Sequence, residues 1–464
     1  MKIPSALLNS LLNLKGFDNE AFEKVHQSGE QNTSIRFNTG KIPAALQASV
    51  CGEGFEGAGI SPVPWSTNGY YLSARPSFTA DPLFHAGAYY VQEASSMFLE
   101  EVMKQSTDGT KDIKILDLCA APGGKSTLIQ SVISGKSLLV SNEVIKTRVA
   151  VLMENITKWG APNVVVTNND PKDFQRLPNF FDIIVVDAPC SGSGLFRKDP
   201  KAIDEWSEKN VALCSGRQQR ILQDVLPALK EGGILIYSTC SFSVEEDEDI
   251  CDWLTKTHQL SAIRYQLKSE WNIIETTSPE TSAYGYRFYP DKLKGEGFFI
   301  ASFRKGQTGN APGPEGKAKE KWERLSSKEM EVVKPWLKNG DDFFYVRQHE
   351  EVIALSIPME KELALIRSAL YIKKAGVKLG AIIRNELIPA HDLAISTIIS
   401  RDIPCVEADK ETALQYLRRQ EIKIDPASTG WLLITFQQIP LGWIKALPNR
   451  FNNYYPKEWR ILNR

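Results

Sequence analysis

The feature that most constrains this chain is an alternation of short apolar runs and helical patterns between about residues 90 and 305. The apolar runs that read as buried strands are IKILDLC, SLLVSNE, NVVVTN, FDIIVVD, GGILIYSTC and GFFIASFRK. Helical patterns lie between them, among them IKTRVAVLMENITKW and a long stretch from about 204 to 230. Repeated strand–helix units of this length predict an α/β fold with a doubly wound, mixed and mostly parallel sheet. Such sheets bind ligands at the C-terminal ends of their strands.

Composition excludes several classes of protein. No apolar run approaches the ~18 residues that a membrane span needs, so we expect no membrane partner. The seven cysteines form no C-x-x-C pair and no histidine lies at ligand spacing from them, which argues against disulfides and metal and for reduced, cytoplasmic thiols. The net charge of −1 gives no global signal for nucleic acid, so any basic surface must be local.

With 464 residues, the chain exceeds what one core usually serves, and we expect several domains. The alternating segment is assigned to 91–305, preceded by a mixed region at 1–90. Residues 306–328 are rich in Gly, Pro, Ala and charge and are predicted to form a linker. An intermediate domain at 329–392 and a small β domain at 393–464 complete the predicted division.

A glycine-rich turn follows the first strand and is the best candidate for a cofactor loop. Its residues are Cys119, Ala120, Ala121, Pro122, Gly123, Gly124 and Lys125. The two glycines allow a ligand close to the backbone, and the following helix offers free N–H groups. A phosphate-binding P-loop is excluded because its first glycine would fall at Cys119, and the G-x-G-x-x-G of NAD enzymes is absent.

Three carboxylates follow the next three strands. Glu143 lies twenty residues after Gly123, where dinucleotide folds place an acid on the ribose hydroxyls. Asp170 is a candidate acceptor for an amine such as that of adenine, and Asp187 ends the fourth strand. One such acid would be read as an ordinary solvated loop residue, but three after successive strands predict a nucleoside-type cofactor site.

Two cysteines, Cys190 and Cys240, also follow strand ends, and each is followed by serine. A single cysteine after a strand is most often a small buried hydrophobe. Two of them at neighbouring strand ends, one close after Asp187, predict a reactive site instead. A thiolate is a strong nucleophile even when only a small fraction is ionised, and a carboxyl group beside it can stabilise charge that builds up on a substrate.

The stretches DLCAAPGGK, DAPCSGSG and STCSFSVEEDE resemble motifs of the Nop/Sun-type RNA cytosine-5 methyltransferases. TSIRFNT, YYVQEASSM and EGFFIASF are similar to further segments of that family, so the resemblance covers roughly 30–305. It implies a Rossmann-like class I methyltransferase domain and S-adenosylmethionine as cofactor, held by the turn from Cys119 to Lys125 with Glu143, Asp170 and Asp187. One departure is Asp247, where the family has asparagine; we expect little effect on the chemistry.

The resemblance also supplies a reaction. Addition of a thiolate to carbon 6 of cytosine activates carbon 5 for methylation, and Asp187 would hydrogen-bond the ring nitrogen. The residues alone leave open which thiol attacks, because cytosine-5 DNA methyltransferases use the cysteine of a Pro-Cys motif, here Cys190. The RNA family uses the later cysteine, so the resemblance assigns attack to Cys240 and assistance in product release to Cys190.

The C-terminal region is predicted to bind RNA. Cations and aromatic rings alternate in 441–464, a composition suited to phosphates and stacked bases. YIKKAGVKLGAIIRNELIPAHDLAIS and the last residues resemble the end of a bacterial branch of the family that carries a PUA-like domain. That branch implies 16S ribosomal RNA near the decoding region, or the assembled small subunit, as partner. Arg36, Arg197 and Lys198 are further candidates for phosphate contacts, and the 1–90 region is expected to bind RNA as well.

Residues after 328 are therefore expected to serve docking, so that a chain ending there would keep its affinity for the cofactor. We expect a monomer. Transfer RNA and 23S ribosomal RNA stay open as substrates. Two other classes also remain: a nucleotide-dependent oxidoreductase, disfavoured by the missing glycine fingerprint, and a non-catalytic ribosome assembly factor, disfavoured by the intact Asp187, Cys190 and Cys240.

Overall fold

The structure is a computed structural model that describes residues 3–42, 59–107, 111–307, 309, 313–314, 322–423, 429–448 and 450–462. The N-terminal elements are α1 (Ser5–Leu11), α2 (Asn19–Gln27), β1 (Thr33–Phe37), β2 (Ile60–Pro62), β3 (Gly69–Leu72), α3 (Pro82–His85) and β4 (Tyr89–Val91). Their four strands form an antiparallel sheet in the order β2-β3-β1-β4.

The central elements follow in an alternating order. They are α4 (Leu99–Ser106), β5 (Lys114–Asp117), α5 (Gly124–Val132), β6 (Leu138–Asn142), α6 (Lys146–Trp159), β7 (Val164–Thr167), β8 (Phe181–Asp187), α7 (Lys201–Glu205), α8 (Glu208–Val225), β9 (Leu229–Thr239), α9 (Glu248–His258), β10 (Ser261–Ala262), β11 (Ile274–Thr277), β12 (Tyr284–Phe288) and β13 (Phe298–Arg304).

The C-terminal elements form two further small sheets and lend one strand to the main sheet. They are β14 (Glu323–Arg324), α10 (Ser327–Val333), β15 (Phe343–Gln348), β16 (Glu351–Ser356), α11 (Glu360–Ala369), β17 (Ile372–Ala375), β18 (Val377–Ile383), β19 (Glu386–Pro389), α12 (His391–Ala394), β20 (Cys405–Glu407), α13 (Lys410–Leu417), β21 (Gly430–Phe436), β22 (Ile439–Leu447) and β23 (Arg450–Asn453). The small sheets have the orders β14-β15-β16-β18-β19 and β20-β21-β22-β23.

The main sheet confirms the predicted fold class. Its order is β11-β12-β13-β9-β8-β5-β6-β7-β17, and the five strands from β9 to β7 run parallel. Every residue of β6 and β7 is buried, as expected for parallel strands covered by helices on both faces. The antiparallel β13 beside β9 makes the sheet mixed. All six strands that the apolar runs predict are present.

The prediction of one continuous helix from about 204 to 230 is wrong. The chain forms α7 and α8, separated at Trp206 and Ser207. The Ser207 hydroxyl accepts a hydrogen bond from the backbone N–H of Asn210 at 3.1 Å, which is the contact of a helix N-cap. A new helix therefore begins at Glu208, and it ends at Val225.

Strand β17 was not predicted, since its residues were assigned to the intermediate domain. It pairs antiparallel with β7, with Ile372 opposite Thr167. Buried side chains of β16 and α11 also belong to the same hydrophobic core as the main sheet. The proposed division at 90, 305, 328 and 392 stays a prediction, and part of the proposed linker lies outside the described residues.

Arg36, Arg197 and Lys198 were predicted to contact phosphates outside the C-terminal region. Arg36 and Arg197 are buried, so the prediction is wrong for these two. Arg36 is 1% exposed, and its Nε donates to Gln92 Oε1 at 2.8 Å while its Nη2 donates to Thr127 Oγ1 at 2.6 Å. The bond to Thr127 fastens β1 to α5, and the bond to Gln92 fastens it to the residue that follows β4. Arg197 is 6% exposed and donates to the backbone carbonyl of Gly295. Lys198 is exposed, as a phosphate contact requires.

Candidate active site

Strands β8 and β9 are parallel neighbours, with Asp187 opposite Ser238. Their C-terminal ends therefore lie side by side, and the loops that leave them carry Cys190 and Cys240. The two sulfur atoms are 2.9 Å apart, and both side chains are half-buried. The structure thus brings together the two thiols that the sequence places fifty residues apart; their chemical roles stay predictions.

A glycine explains how the two cysteine loops approach so closely. The Gly194 N–H donates to the Cys240 carbonyl oxygen at 2.8 Å. A Cβ atom on Gly194 would lie 2.7 Å from that oxygen and 2.5 Å from the carbonyl oxygen of Gly297, closer than van der Waals contact permits. The second glycine of the C-S-G-S-G stretch is therefore required by the packing of one cysteine loop on the other.

Asp187, three residues before Cys190, contacts the cofactor loop. Its Oδ2 lies 2.8 Å from the Lys125 ammonium, and its Oδ1 accepts a 2.8 Å hydrogen bond from the Ser238 hydroxyl. The Asp187 side chain is 36% exposed, so a ligand can reach it. Lys125 lies in the first turn of α5, with its ammonium 5.1 Å from the centre of the Phe298 ring. The sequence predicted Lys125 only as part of the loop and missed this ion pair.

The predicted cofactor loop joins the end of β5 to the start of α5. Gly123 has φ of 117°, in the left-handed region that favours glycine, and α5 begins directly after it at Gly124. Neighbouring elements hold the loop: the Ala120 N–H donates to the Asn142 carbonyl at 2.8 Å, and the Asn155 amide donates to the Pro122 carbonyl at 2.8 Å. The N–H groups that open α5 are consequently available at a fixed position.

Glu143 has the geometry of a ribose acceptor. Its side chain is 3% exposed, and one oxygen accepts from the Ile145 N–H at 2.8 Å. The other oxygen, Oε2, is buried and receives no hydrogen bond from the described residues; the nearest cation is Arg148, at 3.4 Å. A buried carboxylate oxygen without a donor is costly unless a ligand supplies one. The residues present therefore fit a group with vicinal hydroxyls, such as a nucleoside.

Asp170 is more open. Its Oδ1 accepts from the Lys172 N–H at 3.1 Å, its Oδ2 lies 3.7 Å from Arg220, and the side chain is 46% exposed. It stands where β7 leads into a 3-10 turn. An exposed carboxylate at this strand end can accept a hydrogen bond from an amine. The contact of Asp170 with the adenine amine stays a prediction.

The thiols differ in their environments. Contact with Cys240 and then burial raise the pKa of the Cys190 thiol well above its usual value. Burial also raises the pKa of the Cys119 thiol, which keeps that thiol protonated.

Sequence reasoning missed one buried carboxylate under the cysteine loops, Glu246. It lies in a single 3-10 turn, Val244–Glu246, and is fully buried. The signal that could have found it is the acidic run 245–248 that ends the second cysteine motif, in which three of the four acids are buried. Burial also raises the pKa of the Glu246 carboxyl.

Across the described ranges, no three histidine, cysteine or acidic side chains are grouped as a metal ion would require. In the same part of the chain, no helix combines the length and apolarity needed to cross a membrane.

Comparison with known proteins covers most of the chain. The family model of the 16S rRNA methyltransferase RsmB/F matches residues 105–304, that of the N-terminal domain of RsmF matches 3–94, and that of the RsmF PUA domain matches 404–461. The ribosomal RNA small subunit methyltransferase F of Vibrio vulnificus is 30% identical over 445 residues, 92% of this chain and 90% of that protein. The Escherichia coli O9:H4 protein of the same name is 30% identical over 441 residues, 92% of this chain and 89% of that protein.

Solved structures agree on the fold. A methyltransferase homologue from Pyrococcus horikoshii has a TM-score of 0.52 and 27% identity, covering 65% of this chain and all of that chain. NSun6 from Pyrococcus horikoshii, solved with SFG, has a TM-score of 0.56 and 22% identity over 66% of this chain and 98% of its own. The fold is that of the S-adenosylmethionine-dependent methyltransferases, as the sequence predicts. The chain belongs to the 16S rRNA methyltransferase RsmB/F family, with the N-terminal and PUA domains of its RsmF members.

Proposed function

We propose that this protein transfers a methyl group from S-adenosylmethionine to carbon 5 of a cytosine in 16S ribosomal RNA, through a covalent adduct on Cys240. The observation that carries the proposal is the contact between Cys190 and Cys240 at neighbouring strand ends, beside Asp187 and its ion pair with Lys125. One thiol can add to a pyrimidine ring, the charged pair can act on the ring as charge builds up there, and the second thiol can serve the release step. The protein acts as a cytoplasmic monomer in this proposal.

The side chains divide the work as follows. The Cys240 sulfur adds to carbon 6 of the base, which makes carbon 5 nucleophilic. The Lys125 ammonium stabilises the negative charge that builds up on the ring, and Asp187 hydrogen-bonds the ring nitrogen; both side chains are fixed before the reaction. Cys190 keeps its proton because the pKa of its thiol is raised. After methyl transfer it assists release by positioning the base that takes the carbon-5 proton, and the bond between carbon 6 and the Cys240 sulfur then breaks, so that Cys240 leaves as a thiolate.

The cofactor site is built by residues of the same sheet edge. Glu143 would accept the ribose hydroxyls, Asp170 the adenine amine, and the first N–H groups of α5 would face the loop side of the ligand. S-adenosylmethionine, when bound, supplies an electrophilic methyl group on a sulfonium. The buried Oε2 of Glu143, which receives no hydrogen bond from the described part of the chain, supports this assignment.

Two cysteine variants test the adduct. Cys240→Ala should abolish both methylation and any covalent enzyme–RNA species. Cys190→Ala should still attack and methylate, then stall as a denaturation-resistant adduct that migrates slowly on a gel. Cys405→Ala, at an exposed cysteine of β20, is the matched control and should behave as wild type. The adduct appearing in Cys240→Ala and not in Cys190→Ala would reverse the two roles.

The substrate follows from the names of the relatives and needs its own test. Bisulfite sequencing of total RNA from a deletion strain should show one cytosine of 16S ribosomal RNA that loses its methyl group and regains it on complementation. Loss at a transfer RNA or 23S position instead would keep the chemistry and replace the substrate. Unchanged methylation at every position would leave a non-catalytic assembly factor as the better reading.

A further inference from the structure

The buried carboxylate of Glu246 contacts both cysteine loops at once. Its Oε1 accepts from the Ser191 N–H at 2.9 Å and from the Gln218 amide at 3.0 Å. Its Oε2 accepts from the Ser191 hydroxyl at 2.5 Å and the Ser241 hydroxyl at 2.6 Å. Ser191 directly follows Cys190, and Ser241 directly follows Cys240. One carboxylate thus ties together the residues next to the two thiols.

The rest of its surroundings make Glu246 a rigid support. Its side chain has no exposed surface, and its own backbone carbonyl accepts a 2.6 Å bond from the Tyr237 hydroxyl. Tyr237 lies within β9 and is fully buried, and its hydroxyl oxygen also lies 3.0 Å from Gln218 Oε1. Gln218, on α8, is in turn fixed by its bond to the Pro189 carbonyl. Strand, helix and both loops are therefore joined through one residue.

We propose that Glu246 is a positioning residue that holds Cys190 and Cys240 face to face, so that one thiol can attack the base while the other stays within reach of the adduct. This rests on the proposed function. The bond from the Gly194 N–H to the Cys240 carbonyl holds the two loop backbones together, and Glu246 adds side-chain contacts directly next to the thiols. Misplacement of a reacting atom by about 1 Å can cost a factor of about 100 in rate.

We call the four hydrogen bonds that the Glu246 carboxylate accepts the clamp. Substitutions at Glu246 can test whether these bonds are what holds the thiols in place. Glutamine at this position can keep all four contacts: its oxygen accepts from the Ser191 N–H and Gln218, and its amide donates to the two serine hydroxyls. Alanine keeps none of them. Glu245 is the matched control, because it is the neighbouring acid in the same turn and is exposed.

The first measurement uses the two thiols without RNA. Diamide takes two electrons and two protons from a pair of cysteines and leaves a disulfide, and the rate reports how well the sulfurs are held together. We expect Cys190–Cys240 oxidation, followed by mass spectrometry of the linked peptides, to slow on the order of tenfold in Glu246→Ala. Glu246→Gln and Glu245→Ala should oxidise as wild type does.

The second measurement follows the reaction. On RNA carrying 5-fluorocytosine, which traps the adduct because no carbon-5 proton can leave, Glu246→Ala should form adduct about 100-fold more slowly. Its affinity for S-adenosylhomocysteine should be unchanged, which shows that the fold is intact. Should Glu246→Ala not fold, Glu246→Asp takes its place, since the shortened carboxylate cannot span both loops and should be slow as well.

The two measurements distinguish failure of the clamp from failure of the proposed function. Wild-type rates of both oxidation and adduct formation in folded Glu246→Ala, or in its Glu246→Asp substitute, would overturn the clamp, as would a Glu246→Gln variant as slow as alanine. If the wild-type protein forms no adduct with RNA, the proposed function is wrong, while the diamide series still supports or overturns the clamp by itself.

Discussion

Replacing Glu143 by glutamine tests the buried carboxylate oxygen of the cofactor site, Oε2, as an acceptor for a ligand hydroxyl. The glutamine oxygen can keep the bond from the Ile145 N–H. The buried oxygen that has no hydrogen-bond donor becomes an amide that donates and cannot accept. A hydrogen bond to a charged group contributes about 1.5–3 kcal/mol, and a factor of ten in affinity corresponds to about 1.4 kcal/mol. We therefore expect Glu143→Gln to weaken cofactor binding roughly 10- to 150-fold.

The assay is titration calorimetry with S-adenosylhomocysteine, which binds without turnover. The melting temperature of the ligand-free variant should change little, because glutamine can keep the bond from the Ile145 N–H and the ion pair that is lost involves the half-exposed Arg148. Glu208→Gln, the same substitution at an exposed residue in the first turn of α8, should leave both quantities unchanged. Affinity of Glu143→Gln within twofold of wild type would refute the assignment of Glu143 to the ribose.

Two further predictions concern stability. Arg287 is 2% exposed and pairs with Glu248 and Asp247, so Arg287→Ala should lower the free energy of unfolding by about 3–5 kcal/mol in urea titrations; a loss under 1 kcal/mol would contradict this. Burial lowers the pKa of His26 from 6.5 to about 4, so the unfolded chain binds the extra proton first and stability should fall as pH drops from about 6.5 to 4. His26→Gln should flatten that part of the pH profile, and an unchanged profile would contradict it.

The regular part of the fold could be predicted because it depends on local patterns. Each parallel strand is a short run that is buried on both faces, so its apolar letters stand out in the sequence. Strand β17 could not be predicted, since only Ile372 and Ala375 in it are apolar and it joins the sheet through backbone pairing with β7. The break between α7 and α8 is a single N-cap serine inside a helical pattern, a signal weaker than the pattern around it.

The candidate site divides in the same way. Cys190, Cys240 and Asp187 could be placed at one edge because the topology of a parallel sheet requires it. The contact of Asp187 with Lys125 depends on the rotation of α5 against the sheet, which no local pattern encodes. Arg36 was predicted to lie on the surface because arginine is usually exposed. In the structure it is buried, since its guanidinium donates hydrogen bonds to Ser131 and Thr127 on α5.

The structure also changes how RNA docking should be tested. A chain ending at residue 328 was expected to keep cofactor affinity, but it would lose α11, whose Leu363 and Ile366 are 0% exposed within the main core. Each such side chain contributes roughly 1.5–3 kcal/mol, against a net stability of about 5–15 kcal/mol for a domain. It would also lose β17, which covers β7, the strand that leads to Asp170. We therefore expect the truncated chain to unfold at lower temperature and to bind the cofactor less well.

Point substitutions at the end of the chain avoid this loss. Lys457 and Arg460 are exposed cations of the predicted RNA surface, so replacing both by alanine should leave the fold and cofactor affinity unchanged. Each phosphate contact to single-stranded RNA adds about 0.7 to the slope of log affinity against log salt. The double variant should therefore bind 16S RNA fragments more weakly, with a slope shallower by about 1.4 when affinity is measured across a salt range of roughly 50 to 200 mM. Lys209→Ala with Lys256→Ala, two lysines of α8 and α9, is the matched control. An unchanged slope in the Lys457 and Arg460 variant would show that these two residues do not contact RNA phosphates. The slope is the decisive quantity, because misfolding would weaken binding without changing how the affinity depends on salt.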